Sequence, residues 1–99
     1  MLDIKKEKNG TELKVALAGR LDTTTATDLE KQLKEELDGV SQVILDLAEL
    51  EYISSAGLRV LLAVHKNMQG VGTFKLVNAT EAVKEIFDIT GFSDILNVE

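Results

Sequence analysis

Two adjacent serines, Ser54 and Ser55, are the residues of this sequence whose type and position could support chemistry. They open a segment, residues 54–68, that is closed by Gly70 and Gly72 and that we predict to be a helix. A serine hydroxyl at a helix start caps backbone N–H groups, and only one of two neighbours can hold the N-cap position. The other hydroxyl is left to face solvent or a partner.

The next two residues, Ala56 and Gly57, are small and keep the surface beside the serines open. A glycine inside a helix costs about 1 kcal/mol relative to alanine, and less in the first turn. Its presence at position 57 indicates a close approach, either by packing within the domain or by a partner. The sequence leaves both explanations open.

A nucleophilic use of Ser55 needs an adjacent base. The only histidine, His65, lies about three helical turns further along, where we expect an ordinary packed side chain. The sequence has no Gly-x-Ser-x-Gly elbow, no Gly-rich phosphate loop and no cysteine. We predict a protein that is not an enzyme, with no catalytic residue, metal site or cofactor, and nucleotide binding at the Ser55 crevice remains an unsupported alternative.

The N-terminal part predicts a hairpin followed by a helix. Residues 2–8 and 12–18 read as strands, with Asn9-Gly10 as the turn between them. The helix that follows has apolar residues at helical spacing: Ala26, Leu29, Leu33 and Leu37. We expect a threonine among residues 23–25 to cap it, with Thr25 and Asp28 at capping-box spacing, and Gly39 to end it.

The remaining elements alternate between strand and helix. The apolar run at residues 43–47 is typical of a strand covered on both faces, and an acidic loop is predicted after it. A strand at residues 73–78 and a helix at residues 80–89 complete the order β-β-α-β-α-β-α, which implies right-handed crossovers. We therefore predict one α/β domain over residues 1–99. Its sheet should be mainly parallel, of four or five strands, with an N-terminal antiparallel hairpin strand and packed with helices.

This arrangement brings carboxylates near the serines, because open α/β sheets collect functional groups at the carboxyl ends of their strands. Asp22 is expected to cap or brace the loop before the first helix. Asp46 lies inside the apolar strand, where a carboxylate needs hydrogen bonds or a counter-charge. We expect Asp46 to brace the loop that carries Ser54 and Ser55.

Composition argues against nucleic-acid and membrane partners. The net charge is −6 over 99 residues, whereas phosphate backbones and anionic membranes need a basic surface. Aromatic residues are only 4% of the chain, so base-stacking platforms are not expected. No apolar run is long enough to span a bilayer, and the N-terminus shows no secretory signal. We expect a cytoplasmic protein, monomeric when alone, whose partner offers a basic face.

Two motifs resemble those of a bacterial family. Asp46-Leu47 and the segment from Tyr52 to Leu58 resemble the signature of anti-sigma factor antagonists, which are STAS domains. Gly19-Arg20-Leu21-Asp22 resembles the Gly-x-Leu-Asp element at the end of the family's second strand. Ser54 stands where many members have Asp, and Arg59 where several have a second Gly. The resemblance covers essentially the whole chain.

The resemblance implies a partner switch. In the family, the unphosphorylated antagonist binds an anti-sigma factor that is also a serine kinase, and this binding frees the sigma factor. The kinase then phosphorylates the motif serine, the complex dissociates, and a metal-dependent serine phosphatase resets the cycle. The match at Gly57-Leu58 makes Ser55 the phosphorylated residue, with Ser54 as the alternative. The implied partner-binding residues are Asp22, Ser54, Ser55, Ala56, Gly57 and Leu58.

Two other functions are considered. The chain could be a STAS subunit of a transport or other signalling assembly that works without phosphorylation. It could also be a small hydrolase using Ser55, which the missing base disfavours. A neighbouring gene for an anti-sigma kinase would favour the partner switch, and neighbouring permease genes would favour the assembly.

Overall fold

The computed structural model describes residues 2–99, which form a five-stranded sheet, three α-helices and one 3-10 turn. The elements, in chain order, are β1 (Leu2–Asn9), β2 (Glu12–Leu21), α1 (Thr23–Glu36), β3 (Gln42–Ile53), α2 (Ser55–Met68), β4 (Thr73–Val77), α3 (Glu81–Thr90), the 3-10 turn (Phe92–Asp94) and β5 (Asn97–Val98).

The sheet has the strand order β1-β2-β3-β4-β5. β1 is antiparallel to β2, and the other neighbouring pairs are parallel. The predicted α/β fold, with its mainly parallel sheet and N-terminal antiparallel strand, is therefore confirmed. The fifth strand is short and pairs with β4 through Lys75↔Asn97 and Leu76↔Val98.

The hairpin turn lies one residue later than predicted. Asn9 pairs with Glu12, so the turn residues are Gly10 and Thr11 rather than Asn9-Gly10. Gly10 has a φ of 61°, the left-handed value that glycine adopts without a steric cost. This register places Ile4 opposite Leu17, so that both apolar side chains lie on the covered face of the sheet.

Helices cover only one face of the sheet. Val43, Leu45 and Leu47 are fully buried, whereas the intervening Ile44 and Asp46 are partly exposed. Their register partners follow the same alternation, as in the buried pair Leu45↔Leu76. The prediction that this strand is covered on both faces was wrong, because no helix within residues 2–99 covers the second face of the sheet.

β3 is also longer than predicted, because the expected acidic loop after Leu47 is part of the strand. The pairing of β3 with β2 is irregular at two points, and each irregularity adds a residue on β3. The buried residues therefore continue at intervals of three, as Leu47, Leu50 and Ile53. These bulges break the period of two by which a strand is recognised in a sequence.

The helices bury the residues that the spacing predicted. Ala26, Leu29 and Leu33 of α1 are buried, and Leu37 packs against the core from its C-cap. Gly39 adopts the left-handed conformation expected of it, with a φ of 77°, two residues beyond that cap. None of the helices within residues 2–99 combines the length and apolar character needed to cross a bilayer.

Candidate functional site

The ends of β2 and β3 bring two helix starts together. Leu21 and Ile53 are register partners at the carboxyl ends of these strands, so Asp22 and Ser54, which follow them, are neighbours at one edge of the sheet. The backbone N–H of Ser54 donates a hydrogen bond of 2.8 Å to the carbonyl of Leu21. The prediction that Asp22 and the serines share one edge is therefore confirmed by the register.

Asp22 is the N-cap of α1. Its Oδ1 accepts hydrogen bonds of 3.0 Å from the backbone N–H groups of Thr24 and Thr25. In return, Thr25 Oγ1 accepts from the N–H of Asp22 at 2.9 Å, which completes a capping box. The prediction of a threonine cap with a Thr25–Asp28 box was wrong. Asp22 is the last extended residue after β2, and its carboxylate therefore reaches the first N–H groups of the helix.

The capping bonds also set the charge of Asp22. The hydrogen bond from the backbone of Thr25 is the main cause that lowers the pKa of the Asp22 carboxyl below its ordinary value, and partial desolvation opposes it. The group is therefore a carboxylate at neutral pH. Within residues 2–99 its second oxygen, Oδ2, accepts no hydrogen bond, and so it is available to a donor on a partner.

The two serines have different environments. Ser54 is the N-cap of α2, and its Oγ accepts a hydrogen bond of 3.3 Å from the N–H of Gly57. Ser55 is the first helical residue, is exposed, and its hydroxyl forms no hydrogen bond with any described residue. The capping role therefore belongs to Ser54, and the hydroxyl of Ser55 faces solvent.

Gly57 is required by packing within the domain. A Cβ atom at this position would lie 2.7 Å from Cγ of Leu21 and 2.9 Å from Cγ1 of Ile53. These two residues end β2 and β3, so the glycine lets the first turn of α2 approach the sheet closely. Leu58 is also buried, at 4% exposure, whereas Ala56 is partly exposed. Gly57 and Leu58 therefore shape the site from beneath.

Asp46 does not brace the serine loop. Its Oδ1 accepts hydrogen bonds from the N–H of Ala48 at 3.0 Å and from Nδ2 of Asn78 at 3.3 Å. The strand continues for seven residues beyond Asp46, which corresponds to about 20 Å at the usual rise per residue. Asp46 instead connects the middle of β3 with the end of β4, and the expectation of a bracing role was wrong.

The structure shows one feature of this edge that the sequence did not reveal. Arg20 and Tyr52 are register partners, and the guanidinium carbon lies 4.5 Å from the centroid of the tyrosine ring. This distance is that of a cation–π contact. Each residue stands two positions before a helix cap, Asp22 or Ser54, and this shared spacing is the signal that could have revealed the pair.

A shallow groove continues from the site between α1 and α2. Its volume is about 230 Å³, and it is lined by Thr27 and Glu30 from α1 and by Ala56 and Arg59 from α2, among others. Among the described residues no three His, Cys, Asp or Glu side chains are grouped so that they could hold a metal ion. His65, partly exposed further along α2, lies 3.5 Å from the side chain of Gln69.

The fold and site define a small α/β domain. At the start of one helix it exposes a serine whose hydroxyl takes no part in capping, and beside it lies a carboxylate that caps a second helix. Residues 3–99 match the family model of the STAS domain. The chain therefore belongs to the STAS domain family, as its motifs suggested.

Two relatives found by sequence support this membership. BtrV of Bordetella bronchiseptica, a candidate anti-sigma factor antagonist, is 43% identical over 84 residues, covering 83% of this chain and 72% of the relative. The anti-sigma-B factor antagonist of Bacillus subtilis is 31% identical over 99 residues, covering 98% of this chain and 88% of the relative.

The fold is also that of the Bacillus anti-sigma factor antagonist SpoIIAA. Its unphosphorylated form superposes with a TM-score of 0.85 at 18% identity, covering 98% of this chain and 88% of that chain. Its phosphorylated form superposes with a TM-score of 0.77 at 17% identity, covering 98% of this chain and 91% of that chain.

Proposed function

We propose that this chain is an anti-sigma factor antagonist controlled by phosphorylation of Ser55. In its unphosphorylated form it binds an anti-sigma factor that is a serine kinase, and this binding releases a sigma factor. The observation that carries the proposal is the exposed Ser55 hydroxyl. Because Ser54 caps α2, the hydroxyl of Ser55 is not needed to stabilise the helix start. The likeness to antagonists in Bordetella and Bacillus supports the same function.

The proposed switch is a phosphoryl transfer. The kinase transfers the γ-phosphoryl group of ATP to Oγ of Ser55, the hydroxyl proton is released, and ADP is the leaving product. The phosphate adds nearly two negative charges. At the first residue of α2 the backbone N–H groups and the helix dipole favour such charge, so the domain keeps its fold. The phosphate therefore acts at the interface with the partner.

The proposed binding surface is the edge at which α1 and α2 begin. Asp22, Ser54, Ser55 and Ala56 present polar and small groups there, while Gly57 and Leu58 position them from beneath. The Asp22 carboxylate suits a basic group on the partner. A phosphate on Ser55 adds bulk where the small hydroxyl would fit against the partner, and its negative charge is repelled by partner acidic groups that face Ser55 itself, so association weakens although Asp22 keeps its basic partner group.

Ser54 is the less suitable target. Its hydroxyl already caps α2 and the residue is partly buried, so modification there would remove the bond to Gly57. The proposal is completed by a serine phosphatase that resets Ser55, a cytoplasmic location, a single domain over residues 1–99, a monomeric state when alone, and no enzymatic activity of the chain itself.

The first prediction concerns the site of phosphorylation. Ser55→Ala should abolish phosphate transfer from ATP by a cognate anti-sigma kinase, while binding to that kinase is retained because no bond within the domain is lost. The measurement incubates the purified variants with candidate kinases from the same genome and locates phosphate by mass spectrometry.

Ser54→Ala is the matched control, and it should still be phosphorylated at position 55 despite the loss of a helix cap. Phosphate on Ser54 in the wild type, with Ser55→Ala still modified, would contradict the assignment. If no candidate kinase modifies or binds the folded chain, the result favours a STAS subunit that works without phosphorylation.

A further inference from the structure

Arg59 is a cation beside the site that forms no ion pair with any residue in the described range 2–99. It is exposed on α2, four residues after Ser55. The ion pairs within residues 2–99 are Lys6–Glu36 and Lys75–Glu99, so Arg59 takes part in neither. It lines the groove between α1 and α2, where the carboxylate facing it from α1 is Glu30, which lies outside ion-pair distance.

Helix geometry directs Arg59 towards Ser55. Residues four apart on a helix are neighbours on one face, with about 5–6 Å between their Cβ atoms. The Cα–Cβ bonds of a helix tilt towards its N-terminus, so the long side chain of Arg59 extends back over the first turn. Ala56, which also lines the groove, is too small to obstruct this path.

We propose that Arg59 binds the phosphate on Ser55, an inference that rests on the proposed phosphorylation. The guanidinium fork donates two N–H groups to two phosphate oxygens, a bidentate geometry that lysine cannot match. An anion placed four residues before a cation is also the favourable order for a helical pair. Phosphorylation would then add negative charge to the surface and also withdraw a cation from it, so one modification changes two groups at the interface.

The test needs no kinase, because phosphoserine can be incorporated at position 55 during translation. Phosphorus NMR then follows the second ionisation of the phosphate in the intact chain. A cation bound to the dianion lowers its pKa, so Arg59→Ala should raise the phosphate pKa by about 0.2 to 0.4 units, the equivalent of an ordinary helical ion pair. Arg59→Lys should restore part of this difference, and high salt should reduce it.

Lys66→Ala is the matched control, since it removes one positive charge from the exposed surface of the same helix near its other end. It should leave the phosphate pKa unchanged. The melting temperature gives a second readout: Arg59→Ala should lower it in the phosphorylated chain and leave it unchanged in the unphosphorylated chain. Equal phosphate pKa values in Arg59→Ala and Lys66→Ala, or equal melting losses in both forms, would overturn the proposal.

This outcome is separate from that of the proposed function. The phosphoserine is incorporated directly, without a kinase. If Arg59 does not bind the phosphate, the proposal that a kinase phosphorylates Ser55 therefore still stands. Conversely, a kinase that modifies another residue would refute the proposed switch while the measured pair at Ser55 stood.

Discussion

The two serines at the start of α2 have separate roles because a helix has one N-cap. Ser54 supplies the cap, and Ser55 is exposed with no hydrogen bond among the described residues. The sequence predicted that one hydroxyl would remain unused. It predicted that Asp22 would cap or brace the loop before α1, but it assigned the cap of the helix itself to a threonine, because several threonines after Asp22 offered the same capping chemistry. The choice depends on which residue is extended where the strand ends.

The cap at Asp22 predicts a dependence of stability on pH. Its folded-state pKa lies below the ordinary value of 3.8, so its contribution is fully present above that value and is lost as the pH falls through the folded-state pKa. Asp22→Asn keeps a capping side chain without the charge. The excess stability of the wild type over Asp22→Asn, measured by urea unfolding, should therefore be present at neutral pH and disappear in acid.

Asp46→Asn is the comparison for this experiment, because that carboxylate lies on the open face of the sheet and caps no helix. An acid-dependent difference of the same size in Asp46→Asn would show that general charge, rather than the capping box, produces the effect.

The helices and strands could be predicted from the sequence where the spacing of their apolar residues is regular. The buried positions of α1 and the order of the elements from β1 to α3 could be predicted from apolar spacing and turn residues, whereas the 3-10 turn and β5 were not predicted. The end of β3 could not, because its bulges shift the buried positions from intervals of two to intervals of three. The same irregularity hid the pairing of Arg20 with Tyr52, and the continuation of β3 to Ile53 places Asp46 far from the serines. Apolar alternation specifies register only where the strands pair regularly, and the bulges of β3 interrupt that alternation.

The packing of α2 against the sheet explains Gly57: the close approach that its small size permits is made within the domain and needs no partner. Gly57→Val should destabilise the domain by about 1 to 3 kcal/mol, the usual cost of overpacking, because the new side chain collides with Leu21 and Ile53. Urea unfolding followed by circular dichroism measures the loss.

Ala63→Val is the control, since it places valine at a partly exposed position of the same helix and should cost only about 0.5 kcal/mol in helix propensity. If both variants lost the same free energy, the close approach of α2 to the sheet would play no part in stability.

In the molecule as a whole, the apolar core and the proposed binding site around Ser55 lie in different places. The helices and the covered face of the sheet enclose the buried apolar residues, whereas Ser55 projects from an edge where strands end and helices begin. A charge added at that edge enters no apolar environment, so a phosphate can change binding without unfolding the domain. The net charge of −6 is the reason why we expect a partner with a basic face.

The central claim is that phosphate on Ser55 weakens binding to the anti-sigma kinase while the fold persists. Titration calorimetry of the kinase with the unmodified chain and with the chain carrying phosphoserine at position 55 tests it most directly. Phosphoserine at Ser41 is the control for added charge. This residue is exposed and lies just before β3, at the end of the strand opposite to Ser55.

The account predicts that the phosphate at position 55 raises the dissociation constant at least about tenfold, roughly 1.4 kcal/mol, with melting temperature retained. The phosphate at position 41 should leave binding within a few-fold of the unmodified chain. Equal affinity of the chain modified at Ser55 and the unmodified chain, with both folded, would contradict the proposed switch.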